Sequence, residues 1–192
     1  MLGILKELDV SKLIDVSDSL NPGIWPGVKS SHLRYVASLG VPMGAWAEFG
    51  VWKGDSARYL LTLMPTNSKL HLFDSFEGLP TDWIPGYPAG IFACSPPVIL
   101  DERVRMHIGL FSDTLRGFEE PLGFVHVDCD LYASAVDVFT GVGKLLVPGT
   151  LIVFDEFHLG ESQAFSEWLS KSSFKATEIS HTSYGQHGFR LS

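Results

Sequence analysis

Cysteine is scarce in this 192-residue chain, and so are basic residues and long apolar runs. Cys94 and Cys129 lie far apart and form no C-x-x-C pair, which excludes a disulfide framework and points to a reduced, cytoplasmic compartment. Lys and Arg total 14 against 22 Asp and Glu, a formal net charge of −8, which disfavours a phosphate-tracking surface and so a nucleic-acid partner. No apolar stretch approaches membrane-spanning length, and the opening Met1–Lys6 lacks the layout of a signal peptide, so no membrane partner is expected. What is present is 45% apolar residues with a full set of aromatics, over a length that suits one domain spanning 1–192 with a sizeable core.

A third glycine is missing from the stretch around which the chain is organised. Ala45-Trp46-Ala47-Glu48-Phe49-Gly50-Val51-Trp52-Lys53-Gly54-Asp55-Ser56-Ala57 reads as a buried strand, a glycine-bearing turn and the start of a helix. Ala57, Leu60, Leu61 and Met64 continue it at helical spacing. A glycine at the strand end lets a ligand lie against bare backbone, with the N–H groups of the following helix facing it. A dinucleotide fingerprint needs G-x-G-x-x-G, and only Gly50 and Gly54 are there; a P-loop needs Gly-Lys-Ser/Thr, and Asp55 follows Gly54. What remains is E-x-G-x-x-x-G, with Glu48 two residues before Gly50, a carboxylate suited to a cationic or amine-bearing ligand. The loop resembles the first-strand pattern of S-adenosylmethionine-dependent methyltransferases; the same pattern also occurs as plain architecture.

Ahead of it, residues 1–20 read as an amphipathic helical lead-in, broken by Asn21-Pro22-Gly23 and Pro26-Gly27. Ser30-Ser31 is placed to cap a helix running to Gly40, and the whole of 1–40 suits packing or a homo-oligomer contact. Beyond it, Lys69–Asp74 is a second strand ending in an acid. Asp74 there is either a ribose-binding carboxylate or a turn aspartate. Residues 75–100 carry Trp83, Tyr87 and Phe92 among prolines and glycines where a crossover helix would stand, and read as a substrate-side loop. Val104–Ile108 is a third strand, and Ser112-Asp113-Thr114 opens a short helix. Phe111 is either an adenine neighbour or core.

Acid then accumulates. The strand Phe124–Asp128 runs into Cys129-Asp130, and the strand Thr150–Phe154 runs into Asp155-Glu156. Adjacent parallel strands would bring both ends to one edge of the sheet, and the repulsion among Asp128, Asp130, Asp155 and Glu156 calls for a cation or a shared proton. Helix capping accounts for some such acids, but four exceed what it requires. An all-oxygen cluster suits Mg²⁺, or Mn²⁺ in its place. His158 is a candidate base or ligand, whereas His126, inside a strand, reads as a core or sheet-face residue. The helix 162–171 and two short strands, 174–180 and 186–191, close the chain.

Taken together, Glu48–Gly54, Asp74-Ser75-Phe76-Glu77-Gly78-Leu79-Pro80, Gly109–Leu115, Asp128–Ser134 and the Asp155-Glu156 strand end resemble the macrocin O-methyltransferase family. The resemblance implies a Rossmann-like, doubly wound α/β sheet of seven mostly parallel strands with an antiparallel C-terminal hairpin. It implies S-adenosylmethionine as cofactor, a divalent cation such as Mg²⁺, and a small-molecule hydroxyl acceptor, a sugar in that family. It implies Glu48, Gly50, Gly54, Ser56, Asp74, Ser75, Phe111 and Asp128 around the cofactor. Asp128, Asp155 and Glu156 would hold the metal, and Asp130, with His158 in reserve, would be the general base. The family carries Asp-Asp where this chain has Asp155-Glu156, one methylene longer. The alternatives are a catechol-type methyltransferase acting on a flat phenol and a cofactor-binding module without turnover. A nicotinamide oxidoreductase stands further off, for want of the missing glycine.

Overall fold

The computed structural model describes residues 27–157 and 160–192; the lead-in expected over 1–20 and the candidate base His158 lie outside the described residues. The elements alternate: α1 (Gly27–Ser38), β1 (Ala45–Phe49), α2 (Asp55–Leu63), β2 (Leu70–Asp74), β3 (Val104–Ile108) and α3 (Phe111–Thr114). Then follow β4 (Leu122–Val127), α4 (Tyr132–Val142), β5 (Leu146–Phe154), α5 (Gly160–Lys171), β6 (Ala176–His181) and β7 (His187–Leu191). The strands form one sheet in the order β3-β2-β1-β4-β5-β7-β6. β3 to β5 pair in parallel, and β7 inserts antiparallel between β5 and β6. This is the doubly wound sheet with a terminal hairpin that the sequence predicts.

Each face of the sheet is apolar because the central strands are buried on both sides. Trp46, Leu70, Leu72, Phe124, Leu151 and Val153 face one way, against Leu33 and Val36 of α1 and Ala57 and Leu60 of α2. Ala47, Phe49, Phe73, Val125, Val127, Ile152 and Phe154 face the other, against α4 and α5 through Ala135, Val138, Phe139, Ala164 and Phe165. The period of two along each strand sorts the side chains. Aromatic pairs stack across neighbouring strands, Trp46 on Phe124 at 4.3 Å and Phe49 on Phe73 at 4.8 Å between centroids.

Two helices differ from expectation. α1 already includes Gly27, so Ser30 and Ser31 lie inside it and are buried; Ser30 Oγ donates back to the Gly27 carbonyl at 3.2 Å. α3 begins at Phe111 behind Leu110, without a side-chain cap, and Ser112 falls within it. Residues 75–100 carry no helix or strand, as expected of a loop. Among the described residues no helix is long and apolar enough to cross a membrane.

Candidate active site

The carboxyl ends of β1, β2, β4 and β5 open onto a cavity of about 700 Å³. Its wall gathers Gly50, Asp74, Ser75, Phe111, Asp128, Asp130, Asp155 and Glu156 from among the sequence candidates. Trp83, Ile84, Tyr87 and Phe92 of the 75–100 loop close one side, joined by Trp52. Glu48, Gly54 and Ser56 are not on the wall.

Glu48 points into the interior of the sheet. It is fully buried, and its Oε1 accepts a bond from His126 Nδ1 at 2.8 Å, because β1 and β4 put the two residues in register. The expectation of a carboxylate facing a cationic ligand therefore gives way to a carboxylate that orients a histidine. Gly54 stands before α2 with φ +78°, and a Cβ there would meet Pro97 and Ile99. The 75–100 loop thus covers the start of this helix, and Ser56 is buried beneath.

Gly50 is needed for a different reason from the one expected. Its φ is +92°, and a Cβ would lie 1.7 Å from the Asp128 carbonyl oxygen. The close approach is between the backbones of β1 and β4, rather than between backbone and ligand alone. Asp74 ties down the same loop. Its Oδ2 accepts from the N–H groups of Val51 (2.7 Å) and Trp52 (2.8 Å), and its Oδ1 from Phe76 (2.8 Å). Trp52 (φ 47°) and Phe76 (φ 59°) are left-handed non-glycine residues, so this carboxylate holds two strained turns in place. Phe111 lies edge-on to Phe49 at 5.6 Å and reaches the cavity from the other side.

The acidic end is built by β4 and β5. Val127 is in register with Phe154, so Asp128 and Asp155 leave the sheet side by side. Burial and then the neighbouring Asp155 push the Asp128 carboxyl well above its ordinary value, with Lys29 acting against the rise. Asp130 follows in a left-handed conformation, φ 62°. Burial first, then Glu156 and Asp155, raise its carboxyl to about 7. Beneath this turn sits Glu161 of α5, 1% exposed. Its Oε1 accepts from the N–H groups of Cys129 at 2.9 Å and Asp130 at 3.1 Å, while burial lifts its own carboxyl to about 8.

Glu161 and Lys29 escaped the sequence reading, and His126, read as a core or sheet-face residue, is buried as expected but stands beside the acids. One ligand atom each from His126, Asp128 and Asp155 lie within 4.8 Å of one another; Glu156 is outside this group and lines the cavity instead. Strand alternation carries the reason, since His126, Asp128 and, across the ladder, Val153 and Asp155 share one face. The carboxylate of Glu48 on Nδ1 is the outer partner that metal-binding histidines commonly have. So the two carboxylates and the imidazole are a donor set that fits a divalent cation, while Glu156 stands on the cavity wall. On the same face, the Lys29 ammonium from α1 pairs with Asp155 Oδ2. Burial opposes its charge, but Asp155, Asp128 and Glu156 outweigh burial and hold the ammonium above its ordinary pKa.

Known proteins share this fold. The 8-demethyl-8-(2,3-dimethoxy-alpha-L-rhamnosyl)-tetracenomycin-C 4'-O-methyltransferase of Streptomyces olivaceus is 27% identical over 169 residues, 69% of this chain. The aligned part spans 64% of that relative's length. Among solved structures, the O-methyltransferase NovP matches 90% of this chain and 86% of its own, at 22% identity and a TM-score of 0.67. An O-methyltransferase from Bacillus cereus in complex with SAH matches 98% and 92%, at 19% identity and a TM-score of 0.58. These likenesses establish the fold. Residues 47–157, more than half of the chain and the stretch that carries the glycine loop, Asp74 and both acidic strand ends, match the family described as a methyltransferase domain, and the chain belongs to that family.

Proposed function

We propose that this protein transfers the methyl group of S-adenosylmethionine to a hydroxyl of a small-molecule acceptor, as the macrocin O-methyltransferase family does, with a sugar as the acceptor class. The observation that carries this reading is the layout of the cavity. Asp128 and Asp155 leave adjacent strands at one end with Asp130 beyond them, and the glycine loop with Asp74 forms the other end. The relative from Streptomyces olivaceus, named for methylation at a rhamnosyl-bearing compound's 4' position, supports a sugar hydroxyl.

The cofactor supplies an electrophilic methyl group on a positively charged sulfur. Gly50, Val51, Trp52, Ser75 and Phe111 offer it a wall, and Asp74 Oδ1, which carries one N–H bond, keeps a lone pair for a ribose hydroxyl. Asp130 takes the acceptor's proton as the oxygen attacks; a carboxyl near 7 is well matched to that task at neutral pH. The left-handed turn fixed by Glu161 aims it into the cavity. A divalent cation on Asp128, Asp155 and His126 would lower the pKa of a bound hydroxyl, and an imidazole ligand favours Mn²⁺ over Mg²⁺.

One observation favours a second acceptor. Trp52, Trp83, Tyr87 and Phe92 on the wall suit a flat phenol, as in a catechol-type methyltransferase, as well as the apolar face of a sugar ring. Thermal unfolding with S-adenosylmethionine, S-adenosylhomocysteine and NAD, each with Mn²⁺, Mg²⁺ or chelator, tests the cofactor. A ligand at 100 times its dissociation constant adds about 2.7 kcal/mol. Stabilisation by NAD alone would overturn the reading. Transfer to catechols but to no glycoside would replace the sugar with the phenol, and binding without transfer to any acceptor would leave a binding module.

A further inference from the structure

We propose that the Lys29 ammonium and a divalent cation are alternative occupants of one place, the group formed by His126, Asp128 and Asp155, so that the ion binds only as Lys29 withdraws. The metal-assisted reading of the acceptor end is presupposed; Lys29's part in it is new.

Three features lead there. First, Asp155 is 3% exposed, and its carboxylate oxygens are both engaged from within the chain: Oδ2 by Lys29, and Oδ1 by Gln186 Nε2 at 3.4 Å. The Gln186 contact is long, and the same amide also donates to the Asp155 carbonyl at 3.2 Å, so Lys29 is the tighter hold. Second, the ligand atoms of His126, Asp128 and Asp155 lie within 4.8 Å of one another, the spacing of groups around a single small ion. An ion bonded to all three would stand against the same carboxylate that carries the ammonium. Two cations cannot share it without strong repulsion in a site this poorly hydrated. Third, the partners differ in freedom. The Lys29 side chain is 33% exposed and sits on a flexible four-carbon stem, whereas that of Asp155 is 4% exposed and anchored at a strand end. The lysine can swing to solvent, and the carboxylate cannot follow.

The arrangement answers a problem that every ion-dependent acidic site faces. Without its ion, the site leaves carboxylates buried against each other, which is costly. Here the start of α1 brings an ammonium that balances Asp155 and faces Asp128 until an ion takes over.

The test measures Mn²⁺ binding to the full chain by electron paramagnetic resonance of the free ion, for wild type, Lys29→Met and Asp155→Asn. If the wild-type site is open to the ion only a tenth of the time, Lys29→Met binds Mn²⁺ about tenfold more tightly; Asp155→Asn binds more weakly than wild type. A second measurement uses wild type alone and so stands even where Lys29→Met does not fold. Lys29 is acylated with an amine-reactive ester and mapped by mass spectrometry, with Lys175 as reference. Lys29 should be labelled faster under saturating Mn²⁺ than in chelator, relative to Lys175. Equal or weaker Mn²⁺ binding by Lys29→Met, or labelling of Lys29 that ignores Mn²⁺, overturns the proposal. Calorimetry with S-adenosylmethionine separates the two readings. If wild type and Lys29→Met bind the cofactor but neither binds Mn²⁺, the competition falls and the methyltransferase reading stands.

Discussion

Replacing Gly50 by alanine should damage the fold before it affects any ligand. Two costs add. The residue has φ +92°, where an L side chain is strained by about 1–2 kcal/mol. The new Cβ would also stand 1.7 Å from the Asp128 carbonyl oxygen and 2.7 Å from its carbon. Neither side yields easily: the Gly50 N–H donates to Phe73 O at 3.0 Å, and the Asp128 N–H to Phe49 O at 2.8 Å. Overpacking of this kind costs about 1–3 kcal/mol, so the total is about 2–5 kcal/mol. Gly86 provides the control, with the same φ of +92° and nothing within 4 Å of its would-be Cβ. With a urea slope of about 2 kcal/mol/M, Gly50→Ala should lower the unfolding midpoint by about 1–2.5 M, and Gly86→Ala by about 0.5–1 M. Equal midpoints for the two variants would refute the backbone-contact argument. A Gly50→Ala protein as stable as wild type that has lost S-adenosylmethionine binding would restore the ligand-facing role expected from the sequence.

Asp130→Asn, measured on a working acceptor, should lower kcat by about 10²–10⁴ with cofactor affinity unchanged, and near-normal turnover would place the base elsewhere. Glu161→Ala leaves the N–H groups of Cys129 and Asp130 buried without an acceptor and should cost about 2–4 kcal/mol in urea unfolding. Glu161→Gln keeps an oxygen there and should lose less than half of that; equal losses would deny the bond its role. Stability should also fall as pH rises from about 7.5 to 8. Asp130 at about 7 and Glu161 at about 8 hold protons in the folded state that the unfolded chain has already released. His32, which burial lowers to about 3, and His71 and His107, which burial also lowers, work in the opposite sense with an effect that fades by about pH 7.5, so a flat or rising profile between 7.5 and 8 would contradict the burial argument.

Most of the fold was legible because its signals are local. The apolar runs of Ala45–Phe49 and Leu122–Val127, buried throughout, the glycine at Gly50 and the helical stripe of Ala135, Val138 and Val142 depend on near neighbours alone, whereas β5 starts at Leu146, ahead of the expected Thr150. The helix starts were less legible, since capping chemistry competes with burial. Ser30, read as a cap, is wholly buried within α1, on the helix that carries Leu33 and Val36 against the sheet. Burial against the sheet, rather than capping, accounts for the place of that hydroxyl.

At the site, the sequence showed where negative charge gathers but not what answers it. Asp128, Asp130 and Asp155 stand at strand ends and turns, positions that local patterns mark. Their partners come from far along the chain: Lys29 reaches Asp155 across 126 residues, and Glu161 reaches Cys129 across 32. No local pattern encodes those meetings. His126 is the instructive middle case. It stands two residues before Asp128, so strand periodicity alone puts both on one face, and the register of β1 with β4 then brings Glu48 to its Nδ1 across 78 residues. His126 is buried on a sheet face, as read from the sequence. One ring nitrogen is bonded to Glu48, and the ring stands within 4.8 Å of two strand-end carboxylates. That pairing could have been drawn from Glu48, whose charge inside an otherwise apolar strand needed a partner as much as the acids at the strand ends did.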